Sequence, residues 1–157
     1  MDLVAERLTQ EAIAPYGDVI AVPVRPGRKY YSSGLGNARA GAASLSMVMR
    51  ELVGGLPLEV KLLERHEFSS QTFVPLDVGR WLVVVCARAP LGGPDVAHGR
   101  ALIAGPDRGI TYRTNTWHHG FTVLDRPGRF AMFMWLDGSS GDEEFVPVTP
   151  FTIHLGG

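Results

Sequence analysis

Residues 60–76 read VKLLERHEFSSQTFVPL, two apolar runs separated by a short polar stretch. In extended backbone, side chains alternate between faces. Leu62, Glu64 and His66 therefore share a face, with Glu64 and His66 about 7 Å apart along it. Glu67 to Ser70 has the composition of a turn, and a return strand puts Gln71, Phe73 and Pro75 on one face. Read as a hairpin, the stretch brings Gln71 across from Glu64 and His66. Polar groups on an otherwise apolar strand pair need partners or a purpose, so these three are the first candidate site residues.

Similar runs recur along the chain: VIAVPV (19–24), LSMVMR (45–50), WLVVVCA (81–87), RALIA (100–104), ITY (110–112), GFTVL (120–124) and FAMFMWL (130–136). Turn formers punctuate them, as in PLDVGR, PLGGPD, GPDRG and DRPGR. Many short strands with such punctuation predict an all-β antiparallel barrel or jelly roll. WLVVVCA and FAMFMWL are apolar on both faces, so their sheets are expected to be covered on both sides. Thr9 caps a short N-terminal helix through QEAIA, closed by Pro15 and Gly17. Residues 25–44, RPGRKYYSSGLGNARAGAAS, lack periodicity and read as a long loop, lid or arm. Residues 89–99 read as a turn region with a solvent-facing His98, and PVTPFTIHLGG as an edge strand in which His154 has no evident partner.

At 157 residues the chain fits one domain, taken as 1–157. Fifteen basic residues against 16 acidic ones leave a net charge of −1. That balance, with no basic patch or reading motif, argues against nucleic acid and for a small-molecule substrate. The longest apolar run is too short to cross a bilayer, and MDLVAERLTQ lacks the order of a signal peptide, so a cytoplasmic protein without membrane contact is expected. The single cysteine, Cys86, lies inside an apolar run and reads as a small buried hydrophobe rather than a reactive thiol.

The second candidate stretch is YRTNTWHHG, 112–120. Asn115 tolerates positive φ and suits a turn, which would start a hairpin strand near Thr116. Consecutive strand residues point to opposite faces, so only one of the two histidines enters a shared pocket. His118 is chosen. His119, grouped by alternation with Trp117, Phe121 and Val123, reads as packing.

These spacings resemble the two signature motifs of the cupin superfamily. Glu64-x-His66-x4-Gln71 keeps the spacing of the first motif, His-x-His-x4-Glu, with changed chemistry. Asn115 stands at the turn of the second, with His118 at its histidine. More specifically, APYGDVI (14–20), LERHEFSSQTFVPL (63–76), WLVVVCA and GPDRGITYRTNTWHH (105–119) resemble the ureidoglycolate lyase family over most of the chain. The resemblance implies a cupin barrel, usually a homodimer, acting in allantoin and purine breakdown. The implied enzyme is a carbon–nitrogen lyase that splits ureidoglycolate into glyoxylate and urea. One departure stands out. Where the family carries an Asn-Asn-Gly stretch and then an Arg-aromatic-His-Asp run, this chain reads YYSSGLGNARA, with Ser32 and Ser33 before Gly34.

On this reading His66 and His118 are proton carriers, since imidazole titrates near neutrality, or ligands of a divalent metal completed by Glu64 and Gln71. Such a nitrogen-and-oxygen set suits nickel or zinc, and also manganese or iron; a site without metal is the other option. Arg113 and Arg65 are candidates to grip the substrate carboxylate, Arg65 the weaker because alternation turns it away from Glu64 and His66. Tyr112 offers a hydroxyl to the same anion. Trp135 and Asp137 share a face at the end of FAMFMWLDG, where Asp137 either orients a histidine or serves as an Asp-Gly turn residue. The competing readings are a non-catalytic cupin that senses a small carboxylate and a metal-dependent cupin isomerase or dioxygenase.

Overall fold

The computed structural model describes residues 1–52 and 54–156. Its elements are β1 (Asp2–Arg7), α1 (Gln10–Ile13), β2 (Gly17–Ala21), β3 (Ala42–Arg50), β4 (Leu58–Arg65), β5 (Gln71–Asp77) and β6 (Trp81–Arg88). They continue with β7 (Pro94–Ala104), β8 (Arg108–Tyr112), β9 (Trp117–Val123), β10 (Gly128–Leu136) and β11 (Glu144–Leu155). One sheet closes on itself in the order β1-β11-β4-β9-β6-β7, and the other runs β2-β8-β5-β10-β3. The expected all-β jelly roll with a short N-terminal helix is what forms. Thr9 caps that helix, its hydroxyl accepting from the Ala12 N–H at 3.0 Å.

Two cores hold the sheets. The first lies between them and joins Trp81, Val83 and Val85 of β6, Phe121 of β9, Phe73 of β5, Ile110 and Tyr112 of β8 and Phe130 of β10. The second lies on the other side of the closed sheet and takes Leu82, Val84 and Cys86 from the alternate face of β6, with Val60, Leu63, Trp117, Phe151 and Ile153. WLVVVCA is thus apolar on both faces because both are buried. FAMFMWL differs. Phe130 and Met134 are buried, but the opposite face of β10 adjoins Leu45, Met47 and Met49 of β3, all exposed. The expectation that this sheet is covered on both sides does not hold within the chain.

Neither expected hairpin forms. β4 pairs with β11 and β9 in one sheet, whereas β5 pairs with β10 and β8 in the other. Likewise β8 and β9 belong to different sheets. Residues 66–70 and 113–116 are therefore sheet-switching corners. A corner and a tight hairpin use the same turn-forming residues, and alternation along each strand does not reveal its neighbour. Asn115 does adopt positive φ, 65°.

Several boundaries shift for the same reason. β1, a strand the sequence pattern does not mark, closes the barrel by parallel pairing with both β11 and β7, an exception to the expected antiparallel order. The tail is an interior strand between β1 and β4, and pairing with β1 brings His154 Nε2 to 3.7 Å from Asp2; Gly157 lies outside the described residues. β7 begins at Pro94, so only the first half of the 89–99 turn region is turn. His98 is exposed as expected, with Nδ1 2.8 Å from Asp95. A bulge opposite Leu82–Val84 resets the alternation of β9, so Phe121 and Val123 face the same core as His118 rather than sharing a face with His119.

The segment 25–44 leads from β2 to β3, the two edges of one five-stranded sheet, about 19 Å apart at ordinary strand spacing. It is stitched down on the way. The Tyr31 hydroxyl bonds to the backbone of Ala21, and Gly36 and Ala38 exchange backbone hydrogen bonds with Ser70 and Phe68 of the first corner. It is a strap over the corner that carries the site.

Because both faces of β6 are buried, Val83→Thr and Val84→Thr should each lower unfolding stability by about 1–3 kcal/mol in urea titration, the cost of burying an unpaired hydroxyl. A loss at only one of the two positions would contradict the two-core arrangement.

Candidate active site

The two corners lie against each other, and this brings the candidate residues together. Glu64 on β4 stands directly opposite His118 on β9. Gln71 at the start of β5 stands opposite Tyr112 at the end of β8. The Asn115 N–H donates to the His66 carbonyl at 2.8 Å, locking one corner to the other. Gln71 thus approaches Glu64 and His66 from the facing sheet, not from across a hairpin.

Both histidines are oriented by backbone carbonyls. His66 Nδ1 lies 2.9 Å from the Asp142 carbonyl oxygen, and His118 Nδ1 lies 2.9 Å from that of Thr116. A carbonyl can only accept, so each Nδ1 carries the proton and each neutral ring presents a bare Nε2. His118 Nε2 stands 3.3 Å from Glu64 Oε1, close enough for an ion pair but without the alignment of a hydrogen bond. The His118 ring is stacked on Tyr112 at 4.2 Å and lies 5.4 Å from the His66 ring.

Seven buried side-chain nitrogen or oxygen atoms lack a hydrogen-bond partner among the described residues. Four of them, His66 Nε2, Gln71 Oε1, Tyr112 Oη and His118 Nε2, belong to this cluster. His66 is 5% exposed and His118 1%. Leaving one such atom unmade costs about 1–3 kcal/mol, so four together mark a place built for something polar. Gln71 Nε2 is turned away towards Met132 Sδ, at 3.4 Å, which leaves its carbonyl directed at the site.

The donor set fits a divalent cation. Glu64, His66 and His118 each offer a ligand atom within 4.8 Å of the others. Tetrahedral ligands at about 2.0–2.1 Å stand about 3.4 Å apart, close to the Glu64–His118 separation. The Nδ1-to-carbonyl bonds are the outer contacts that commonly fix metal-binding imidazoles.

Burial tends to raise the Glu64 carboxyl, but contact with His118 and its charge, a hydrogen bond with Glu143 and the charge of His66 outweigh it and bring it down to about 2. Burial, and then the charge of His118, push His66 below the usual imidazole range, against the Asp142 carbonyl, Glu64 and Gln71. Burial raises the Tyr112 phenol, with Glu64 adding to it, so its hydroxyl is a proton-bearing donor. Burial also pushes the Cys86 thiol up to about 12, as suits an inert core residue.

The family model for ureidoglycolate lyase matches residues 1–154. The chain belongs to the ureidoglycolate lyase family. A putative ureidoglycolate lyase of Agrobacterium fabrum is 37% identical over 153 residues, 96% of this chain and 94% of that protein. Ureidoglycolate lyases of Chelativorans sp. and Mesorhizobium japonicum are 34% and 36% identical, covering 98% of this chain and 96% and 98% of theirs. A solved dTDP sugar isomerase from Desulfovibrio desulfuricans is similar over 84% of this chain at 19% identity with a TM-score of 0.47, too distant to inform the site.

In this member of the family the remaining candidates lie elsewhere. Arg65 donates to Glu144 and to the Asn115 side chain, both at 2.6 Å, over the Trp117 ring. Its guanidinium pins the second corner and is not available to a substrate. Arg113 is half exposed and 3.6 Å from Asp18. Trp135 and Asp137 border a small separate cavity with Arg39, whose guanidinium is held by Asp137 at 2.8 Å and Asp142 at 2.6 Å. Asp137 accepts from the Ser139 N–H and serves the turn; it orients no histidine. Sequence reasoning missed Thr116 and Asp142, which act through backbone carbonyls and leave no residue-type signal. It also missed Glu143, the exposed residue next to Asp142.

Because the folded carboxyl of Glu64 is depressed, its stabilising contribution is present above the ordinary 4.5 and lost as pH falls towards 2. In metal-free protein, Glu64→Gln should flatten the fall in stability between those values, measured by urea titration at a series of pH values. An unchanged acid limb would mean that Glu64 is not held by the histidines.

Proposed function

We propose that the chain cleaves ureidoglycolate into glyoxylate and urea at the His66–His118–Glu64 cluster. What carries this reading is the convergence of four unpartnered buried polar atoms on one spot in a chain of the ureidoglycolate lyase family. A sensor or a dioxygenase is not favoured by that membership. The substrate carries a hydroxyl and a ureido nitrogen on one carbon beside a carboxylate. Cleavage removes the hydroxyl proton, turns C–O into C=O, breaks C–N and returns a proton to the departing nitrogen, so protons balance within the substrate. His118 Nε2 is placed to accept the first proton and deliver it to the nitrogen, because its Nδ1 proton is occupied by Thr116 and the charged Glu64 steadies the imidazolium formed between the steps. Tyr112 donates its hydroxyl to the developing oxygen charge. Where a divalent cation is bound, His66 Nε2, His118 Nε2, Glu64 and Gln71 Oε1 hold it, and it supplies polarisation of the hydroxyl.

Glyoxylate release from racemic ureidoglycolate, corrected for spontaneous decay, should be lost in His118→Ala by at least 100-fold. Treating the wild type with chelator and then restoring single metals separates the two uses of the histidines. Loss and return with one metal makes them ligands, and indifference makes them proton carriers. No release under any of these conditions would overturn the reading.

A homodimer follows from the same family reading, and the open apolar face of β3 supports it. Leu45 is 73%, Met47 69% and Met49 53% exposed, and the register sets Met47 in line with exposed Val74 of β5 through Ala131. Met47→Asp should convert the species seen by light scattering from two chains to one; an unchanged dimer would place the interface elsewhere. Buried, unpaired Cys86 suits a reducing cytoplasm.

A further inference from the structure

The cluster explains the chemistry at the reacting carbon but leaves the carboxylate without a partner, since Arg65 and Arg113 are engaged or remote. A different arginine is placed for it. β4 and β9 share one residue pair, Glu64 with His118, and then splay apart. The gap opens into two adjoining cavities of about 300 and 250 Å³ that share Arg50, His119 and Gly120. Glu64 and Glu143 border the larger one, and Phe121 the smaller. Arg50, the last residue of β3, reaches in from the opposite sheet with its guanidinium 5.0 Å from the centre of the Phe121 ring. It makes no ion pair among the described residues, unlike Arg39, Arg65 and Arg80. His119 Nδ1, also on this wall, is buried and unpartnered.

The cleft is polar in a directed way. One part carries a cation resting on an aromatic face, an arrangement that holds a guanidinium in place without neutralising it. Another carries the Glu64 carboxylate, 3.3 Å from His118 Nε2, with Glu143 on the same wall. A ligand that suits it has a carboxylate to meet the cation and N–H donors to meet the acids. We propose that this cleft seats the substrate, Arg50 taking the carboxylate and Glu64 and Glu143 the ureido N–H groups, with the reacting carbon left beside His118. The ligand class is a short N-carbamoyl acid. The identity of the natural substrate rests on the lyase reading; the polarity of the seat does not.

N-carbamoylglycine tests this, because it keeps the carboxylate and the ureido group but lacks the hydroxyl and cannot be cleaved. Its neutral amide is the control. Calorimetry on the whole protein should show wild type binding N-carbamoylglycine at least about 10-fold more tightly than the amide. Arg50→Met should weaken the acid by about 10- to 100-fold and leave the amide unchanged, the range for one charge-assisted bidentate contact. Arg50→Lys should recover part of the loss, and an unchanged melting temperature shows that both variants fold. In turnover, KM for ureidoglycolate should rise more than kcat falls. Equal binding of acid and amide by wild type, no binding of the acid, or wild-type affinity in Arg50→Met would each overturn the proposal. Arg50-dependent binding of the acid without glyoxylate release from ureidoglycolate would uphold the seat and sink the lyase reading.

Discussion

Two backbone carbonyls decide the character of this protein. Thr116 and Asp142 each take the Nδ1 proton of a buried histidine, which fixes the tautomer and turns both Nε2 atoms towards Glu64. A carbonyl accepts and never donates, so the arrangement cannot relax by flipping the rings without abandoning a buried hydrogen bond. Everything else about the site follows from that constraint. Glu64 stands against the His118 ring and is held well below the ordinary carboxylate range, Tyr112 is stacked on His118, and Gln71, its amide nitrogen turned to Met132, directs its carbonyl inward.

Such a cluster is costly to bury, and the fold supports it by packing around it everywhere but at the cleft beside Glu64. The closed sheet has a core on each face. The site occupies one end of the core between the sheets, where the corners 66–70 and 113–116 meet. Arg65, reaching the second corner through Asn115, and the strap at 36–38, bonded to the first, hold the ends in register. A one-residue slip in either strand would reverse every side chain. Pinning both corners prevents it.

Much of this was legible in the chain. Alternation in VKLLERHEF placed Glu64 and His66 on one face, Asn115 marked the turn before the strand, and alternation along that strand separated His118 from His119. The apolar run at 81–87 announced a strand buried on both sides. What alternation does not carry is partnership between strands. Corner and hairpin use the same residues, so both were misread as hairpins, although the choice of Glu64, His66 and His118 survived because alternation near each corner holds whichever neighbour the strand has. The bulge near Gly120 broke the count on β9 and hid the true company of Phe121. Thr116 and Asp142 act through atoms that every residue possesses, and Arg50 gains meaning only when the opposite sheet brings it over Phe121.

The orientation of the two imidazoles is the claim on which the rest stands, and nitrogen-detected NMR of labelled protein reads it directly. At neutral pH, among the five histidines, His66 and His118 should show the Nδ1–H tautomer with unprotonated Nε2, and adding glyoxylate should move those two Nε2 signals. Nε2–H tautomers, or Nε2 signals that ignore glyoxylate, would contradict the account.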